Sequence, residues 1–332
     1  MNNGIKRVTR DDVAKEAKVS NTIVSYVVNN NRYVDKDKKD RVMAAIKKLG
    51  YRPNSIARAL KGKKTNHIIF IVDDIHSEHF INIVETVDSL AYENGYIITL
   101  CQDKEDEDFI NRILDGYYDG IVIASNMATR ESIQKLINLN IPLVYFEIRD
   151  YGEFSGSYGK INTGLYQGGI KSIEALYNNN RRNIVYAGAS VNKEGLISKE
   201  GFRYKAFVDK MNEYNIPIND DSFLPEGGEE AIKKAILNYR QMPDAFFCRT
   251  DSTAFLIMKI LKELNVNVPK DVSVVGYNDS SWCELSSPKL SSVKIDRLTA
   301  SQKVLEFLEN LSNSSENFSI TLNTQLILRD TI

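Results

Sequence analysis

Carboxylates, amides and hydroxyls recur in this chain just after short apolar runs. Asp73 follows HIIFIV, Ser125 follows GIVIA, Glu147 follows PLVYF, Asn278 follows VSVVGY, and Asp251 stands shortly after DAFFC. His79 and Phe80 lie close behind Asp73, and Asn162 and Asn192 stand near the starts of later segments. A ligand hydroxyl needs both a donor and an acceptor, so amides beside carboxylates and an aromatic plate suit a polyhydroxylated molecule. Signatures of catalysis are missing: there is no GxGxxG, no GxxxxGK[ST], no GxSxG and no HExxH. A hydrolase or sugar kinase would need an unrecognised constellation, and the expectation is a protein that is not an enzyme and has no cofactor. His76 and His79, near Asp73, Asp74 and Glu78, have a helical i, i+3 spacing that metal pairs use, but hydrogen bonding to a ligand or helix capping accounts for them equally well. No metal is expected. Cys101, Cys248 and Cys283 are far apart, without CxxC spacing, and read as reduced thiols.

The elements that would position these groups alternate. From His67 onward, β-rich apolar runs are separated by stretches of helical spacing, the pattern of parallel sheets joined by right-handed crossovers. Two such sets meet near residue 160, and a late helix over 296–311 and a strand at about 322–329 return to complete them. The expected lobes are 66–160 plus 294–321 and 161–293 plus 322–332. Open parallel sheets bind ligands beyond the carboxyl ends of their strands, so two facing lobes make a cleft between them. Trp282 reads equally as a cover for the cleft mouth or as packing beneath the next loop. The Asn/Ser-rich stretch 312–319 reads as an exposed loop.

Residues 1–65 differ from this body in charge. The chain holds 43 Lys and Arg against 44 Asp and Glu, a formal charge of −1, yet residues 1–65 hold 17 basic and 6 acidic side chains. A segment at +11 on a body at −12 can neutralise phosphates although the average is near zero. Thr9 with Asp12, and Ser20 ahead of Ile23, Val24, Val27 and Val28, read as two helix starts, and only Lys18 and Val19 separate the first helix from the second cap. Helices joined by so tight a turn cross steeply, as in a helix-turn-helix. Asp35, Val42, Ala45, Ile46 and Leu49 write a third helix, stopped by Gly50. A generic small helical bundle with a solvated charged face meets the same periodicity. Residues 53–61, PNSIARALK, form a short helix with a small apolar edge at Ile56, Ala57 and Leu60. Helices below roughly 12 residues are marginal alone, so this one should fold only against a partner; a plain linker is the alternative.

VTRDDVAKEAKVSNTIVSYVVN and RVMAAIKKLGYRPNSIARAL resemble the DNA-binding headpiece and hinge of the LacI/GalR family of bacterial transcription regulators. The two-lobed pattern is similar to the periplasmic-binding-protein-like core of that family. The implied fold is an all-α helix-turn-helix headpiece (1–52) and hinge helix (53–65), then an α/β core of two parallel sheets flanked by helices. By position, the resemblance implies base reading by Asn21, Thr22 and Tyr26, with Thr9, Ser20, Ser25 and Asn29 near the backbone. In the hinge it implies minor-groove contact by Asn54, Ala57, Leu60 and Lys61, Leu60 being wedged between base steps. It also implies an effector pocket of His79, Phe80, Glu147, Asn162, Asn192, Ser198, Asp251 and Asn278, to which position after a strand adds Asp73 and Ser125.

Four departures stand out. Tyr26 occupies a position where many relatives have Arg. Ser198 replaces a frequent Arg three residues before Gly201-Phe202, and Asn162 and Asn278 stand where Asp is frequent. The expected function is that of a homodimeric repressor on a palindromic operator, governing carbohydrate use and controlled by a small molecule, foremost a neutral saccharide. A nucleoside or other metabolite as effector, or ligand-independent DNA binding, is the alternative. No apolar stretch approaches the ~20 residues of a membrane helix and the amino terminus is polar, so a cytoplasmic protein is expected.

Overall fold

The computed structural model describes residues 8–29, 32–52, 64–75, 78–104, 106–191 and 197–332; the side chains of residues 78, 79 and 107 lie outside that description. The chain divides into two compact units, Met1–Thr65 and Asn66–Ile332.

In the first unit, helix α1 (Arg10–Ala17) begins at Thr9, whose hydroxyl accepts from the Asp12 amide while the Asp12 carboxylate accepts from the Thr9 amide. These reciprocal bonds satisfy two amides that a helix start leaves open. Helix α2 (Asn21–Asn29) follows after two residues and the Ser20 cap, and α3 (Lys36–Leu49) runs from Asp35 to Gly50, which stops it at φ +63°. Val13, Ala14, Ala17, Val24, Val27, Val42, Ala45 and Tyr51 bury the core, with Ile46 and Leu49 packed at its edge. The expected hinge residues Asn54, Ala57, Leu60 and Lys61 lie outside the described residues.

The second unit contains two six-stranded sheets. The first lobe takes β1 (His67–Val72), α4 (Glu78–Glu93), β2 (Ile97–Gln102), α5 (Glu107–Leu114), β3 (Gly120–Ala124), α6 (Arg130–Ile137), β4 (Leu143–Phe146) and β5 (Gly159–Asn162). The chain crosses into the second lobe for α7 (Leu165–Asn178), β6 (Ile184–Ala189), α8 (Phe202–Glu213), β7 (Phe223–Pro225), α9 (Glu229–Leu237), β8 (Ala245–Cys248), α10 (Asp251–Glu263), β9 (Ser273–Asn278), α11 (Trp282–Leu285) and β10 (Ser291–Ile295). It returns for α12 (Arg297–Asn313) and β11 (Phe318–Thr321), then crosses again to β12 (Thr324–Ile327). Strand orders are β11-β5-β4-β3-β1-β2 and β12-β10-β9-β8-β6-β7.

Helices cover both faces of each sheet, which is why the strands read as continuous apolar runs. Along β1, Ile68, Phe70 and Val72 pack under α4 and α12, and Ile69 and Ile71 pack under α5 and α6. In the second lobe α9 and α10 cover one face and α7 and α8 the other.

The sequence reading differs from the structure at the lobe seam. Strand β5 carries the first sheet to Asn162, beyond 160, and β10 stays in the second sheet to Ile295, beyond 293. Stretch 312–319 is not a loop throughout: α12 reaches Asn313, and β11 begins at Phe318. Strand β12 runs antiparallel to β10 in an otherwise parallel sheet. GKIN and FSIT are four residues long and half polar, so they lack the apolar run that marks the central strands.

Three crossings join the lobes. At the first, Gly164 has φ +75°, and a Cβ there would stand 2.6 Å from the Leu322 carbonyl oxygen of the third. Only glycine combines that conformation with so close an approach.

Candidate functional site

On α2, the helical repeat of 3.6 residues puts Asn21, Thr22, Ser25, Tyr26 and Asn29 on one side and Ile23, Val24, Val27 and Val28 on the other. Burial follows: Val24 and Val27 are in the core, Asn21 and Thr22 are exposed, and Ser25, Tyr26 and Asn29 are half-buried. Asn29 donates to the Ser25 carbonyl at 2.7 Å and its hydroxyl at 3.1 Å, and the Asn21 amide donates to Asp11. Arg32 lies with its guanidinium 5.3 Å from the Tyr26 ring centroid and donates to the Tyr26 hydroxyl at 3.3 Å. A cation thus stands beside the residue that departs from the family's Arg. Sequence spacing did not reveal it, because Arg32 lies beyond the end of α2. Thr9 and Ser20 spend their hydroxyls on helix caps.

Within the second unit a cavity of about 870 Å³ opens between the lobes. Loops after strand ends line it: Asp73 and Asp74 after β1, Asn126 after β3, Ile148 and Arg149 after β4, Ser190 after β6, Arg249 and Thr250 after β8, and Asn278 at the end of β9. Phe80, Phe146 and Leu165 supply apolar wall, and Ser198, Glu200, Arg203 and Glu226 complete the polar part. Of the expected pocket residues, Asp73, Phe80, Ser198 and Asn278 line this space. The side chain of His79, all of Asn192, and His76 lie outside the described residues. Asn278 sits at φ +102°, and its carbonyl accepts from Arg297 at the second lobe crossing.

Four expected residues do not line the cavity. Ser125 is buried, donating to Asp103 at 2.8 Å and accepting from the Met127 amide at 3.0 Å. Glu147 is tied at 2.9 Å to Asn162 and at 3.3 Å to Lys160, and Asn162 also caps Gly164 at 2.8 Å. Asp251, 3 % exposed, accepts from the Ser280 amide at 2.7 Å and the Ser292 hydroxyl at 2.6 Å. Burial pushes its carboxyl pKa upward, against those hydrogen bonds. These groups fix the loops that carry the lining instead of facing the cavity themselves. Trp282 likewise fits neither expected place: it is 62 % exposed and is not among the lining residues.

The largest difference is cationic. Ser198 replaces a familiar Arg, yet three guanidiniums reach the cleft from other positions, on Arg149, Arg203 and Arg249. Arg149 pairs with Glu200 at 2.6 Å and Arg249 with Glu226 at 2.8 Å. Arg149 and Arg249 follow strands β4 and β8, so the rule of strand ends reaches them two residues past Glu147 and one past Cys248. Arg203 sits on a helix and carries no such mark.

Among the described residues no group of three or more His, Cys, Asp and Glu could hold a metal ion, and no described helix is long and apolar enough to cross a membrane. The three cysteines are free thiols.

Residues 9–54 match the family model described as bacterial regulatory proteins, lacI family, and residues 173–332 match the periplasmic binding protein-like domain. The chain is 30% identical over 337 residues to the HTH-type transcriptional repressor PurR of Actinobacillus pleuropneumoniae serotype 3 (strain JL03), covering 98% of each. It is 30% identical over 336 residues to that of Histophilus somni (strain 129Pt), again with 98% of each covered. Among solved structures, the lac repressor dimer bound to operator and the anti-inducer ONPF superposes with a TM-score of 0.78 at 21% identity, covering 98% of this chain and 99% of that one. A transcriptional regulator CelR–cellobiose complex gives 0.67 at 22% identity, over 98% of this chain and 100% of that one. A helix-turn-helix unit of matching sequence, a two-lobed core and relatives of equal length leave one assignment: the chain belongs to the LacI family of bacterial regulatory proteins.

Proposed function

We propose that the protein is a transcriptional repressor that binds a palindromic operator as a homodimer and releases or engages it according to a small-molecule effector held between its lobes. The observation that carries this reading is a recognition face on α2 and an interlobe cleft lined at strand ends, both in one chain of a regulatory family. The PurR relatives are repressors by name, which supports repression over activation. On this reading Asn21, Thr22 and Tyr26, the last with Arg32, read bases, while the hinge residues Asn54, Ala57, Leu60 and Lys61 engage the minor groove. Leu60→Ala then reduces specific affinity far more than non-specific binding, and equal losses on the two DNAs count against a wedged leucine.

The effector is a polyhydroxylated metabolite. Side-chain hydroxyls and amides of Asn126, Ser190, Ser198, Thr250 and Asn278, beside Phe80 and Phe146, supply paired donors and acceptors against apolar plates. A sugar is the preferred body: a LacI family transcriptional regulator of similar fold, from Lactobacillus casei, holds sucrose, and the transcriptional regulator CelR, also of similar fold, holds cellobiose. A nucleoside is the second reading, favoured by the PurR relatives. Dimerisation is supported by Trp282, Leu285 and Leu328, which are 62, 74 and 62 % exposed and flank the Glu284–Arg329 ion pair. The direct test is a binding titration of operator DNA in the presence of sugars and nucleosides. A change in affinity with one of them supports the effector role, and operator binding indifferent to every cleft ligand refutes it.

A further inference from the structure

Among the described residues, Arg203 lines the cleft with no carboxylate within ion-pair distance, as does Lys199. Arg149 and Arg249 each have a glutamate at 2.6 and 2.8 Å. Among the described residues Arg203 donates once, from one terminal nitrogen to the Arg249 carbonyl at 2.9 Å, and its guanidinium lies 5.0 Å from the Tyr277 ring centroid. A guanidinium has five N–H donors. The carbonyl takes one and the ring covers one face, so most of the donor edge is left for whatever occupies the cleft that Arg203 lines.

Its surroundings raise the energy of that unpaired charge. Arg203 stands in the first turn of α8, which has no acidic residue there and no side-chain cap at Gly201. The start of a helix is its electropositive end, so a cation is unfavourable and an anion favourable at that place. Burial holds the Arg203 pKa below the usual guanidinium value, and the neighbouring Arg249 acts in the same direction. Asp73, across the cleft, is the acid that acts on Arg203, but its carboxylate accepts from the Asn126 side chain and from the Asn126 and Asp74 amides.

We propose that the effector carries an anionic group, a phosphate or a carboxylate, that docks on the guanidinium of Arg203 at the second-lobe wall of the cleft. This inference rests on the cleft being the effector site and adds the charge of its ligand. A planar guanidinium with a free edge takes two oxygens of such a group at once, and bonds between charged partners are about twice as strong as neutral ones. The expectation of a neutral saccharide rests on Ser198, Asn162 and Asn278 standing in place of charged residues; Arg203 supplies a guanidinium from a different position.

The test is calorimetry on the full-length protein with inorganic phosphate, gluconate and matched pairs: glucose and glucose 6-phosphate, sucrose and sucrose 6-phosphate, adenosine and AMP. The expected result is that at least one anionic member binds roughly tenfold or more tightly than its neutral partner. Arg203→Gln should abolish that preference, and Arg203→Lys, which keeps the charge, should retain part of it. Phosphate-bearing pairs against gluconate separate a phosphate from a carboxylate. The proposal is overturned if neutral members bind as tightly as anionic ones, if no anion binds, or if Arg203→Gln keeps the preference. A neutral sugar that shifts operator affinity leaves the effector cleft standing while removing its anion. An anion that depends on Arg203 yet leaves operator affinity unchanged removes the effector role instead.

Discussion

Asp251 is an acid at a strand end, yet its two oxygens are consumed by Ser280 and Ser292, and a Cβ at Gly276 would stand 2.2 Å from one of them. A carboxylate so enclosed organises the loop that carries Asn278. Ser292→Ala removes one donor from a buried acceptor, and the expected loss is about 1–3 kcal/mol in a denaturant titration; a change near zero would mean that the Asp251 carboxylate is solvated. Sequence could place Asp251, Ser125 and Glu147 at strand ends because apolar runs have visible limits. It could not say which of two neighbouring residues turns to the cavity, so Arg149 and Arg249 were passed over for residues within two positions of them. On α2 sequence spacing is more informative, because one helical repeat separates a polar face from a buried one. Asn21→Ala or Thr22→Ala should change the bases recovered from a randomised half-site. Neutralising Lys61 or Lys63 should leave base choice alone and lower the salt slope of binding by about one.

At the scale of elements, α11 and the carboxyl-terminal tail are held by Glu284. Lys289 and Arg329 donate to it at 2.8 and 2.9 Å and hold its carboxyl down at about 2. Because this pKa is depressed by folding, the pair stabilises the protein above the unfolded glutamate value of about 4.5 and loses that contribution as pH falls toward about 2. Glu284→Gln should therefore lower the melting temperature at neutral pH, with the gap closing below about pH 4.5; a gap independent of pH would refute the ion pair as its cause. On the proposed reading the neighbouring exposed residues form the dimer contact, so Trp282→Glu with Leu285→Glu should turn a sedimenting dimer into a monomer. Crossing one is sensitive in another way. Gly164→Ala meets both a left-handed backbone and the Leu322 carbonyl, so a loss above about 1 kcal/mol is expected in thermal unfolding. The long helices and central strands were legible because each hides one or two whole faces. Strands β5 and β11 were not, since their short polar sequences become strands only when paired with each other and with β4.

For the whole molecule, opposed charge was the most informative sequence feature. The +11 of residues 1–65 coincides with the first compact unit, and the −12 of the remainder with the second. Deleting residues 1–65 should leave a folded dimer that binds its ligand without DNA, and an insoluble or ligand-blind remainder would refute that division of labour. On the proposed function one coupling joins these units, between an occupied cleft and the grip on DNA. Couplings of about 1–3 kcal/mol give roughly 5–150-fold regulation. The decisive measurement is fluorescence anisotropy of the full-length protein on a site selected from random DNA, with and without a ligand that saturates the cleft by calorimetry. The selected site should be palindromic and its affinity should change by roughly that factor; an asymmetric site, or an affinity unmoved at full occupancy, would contradict the account.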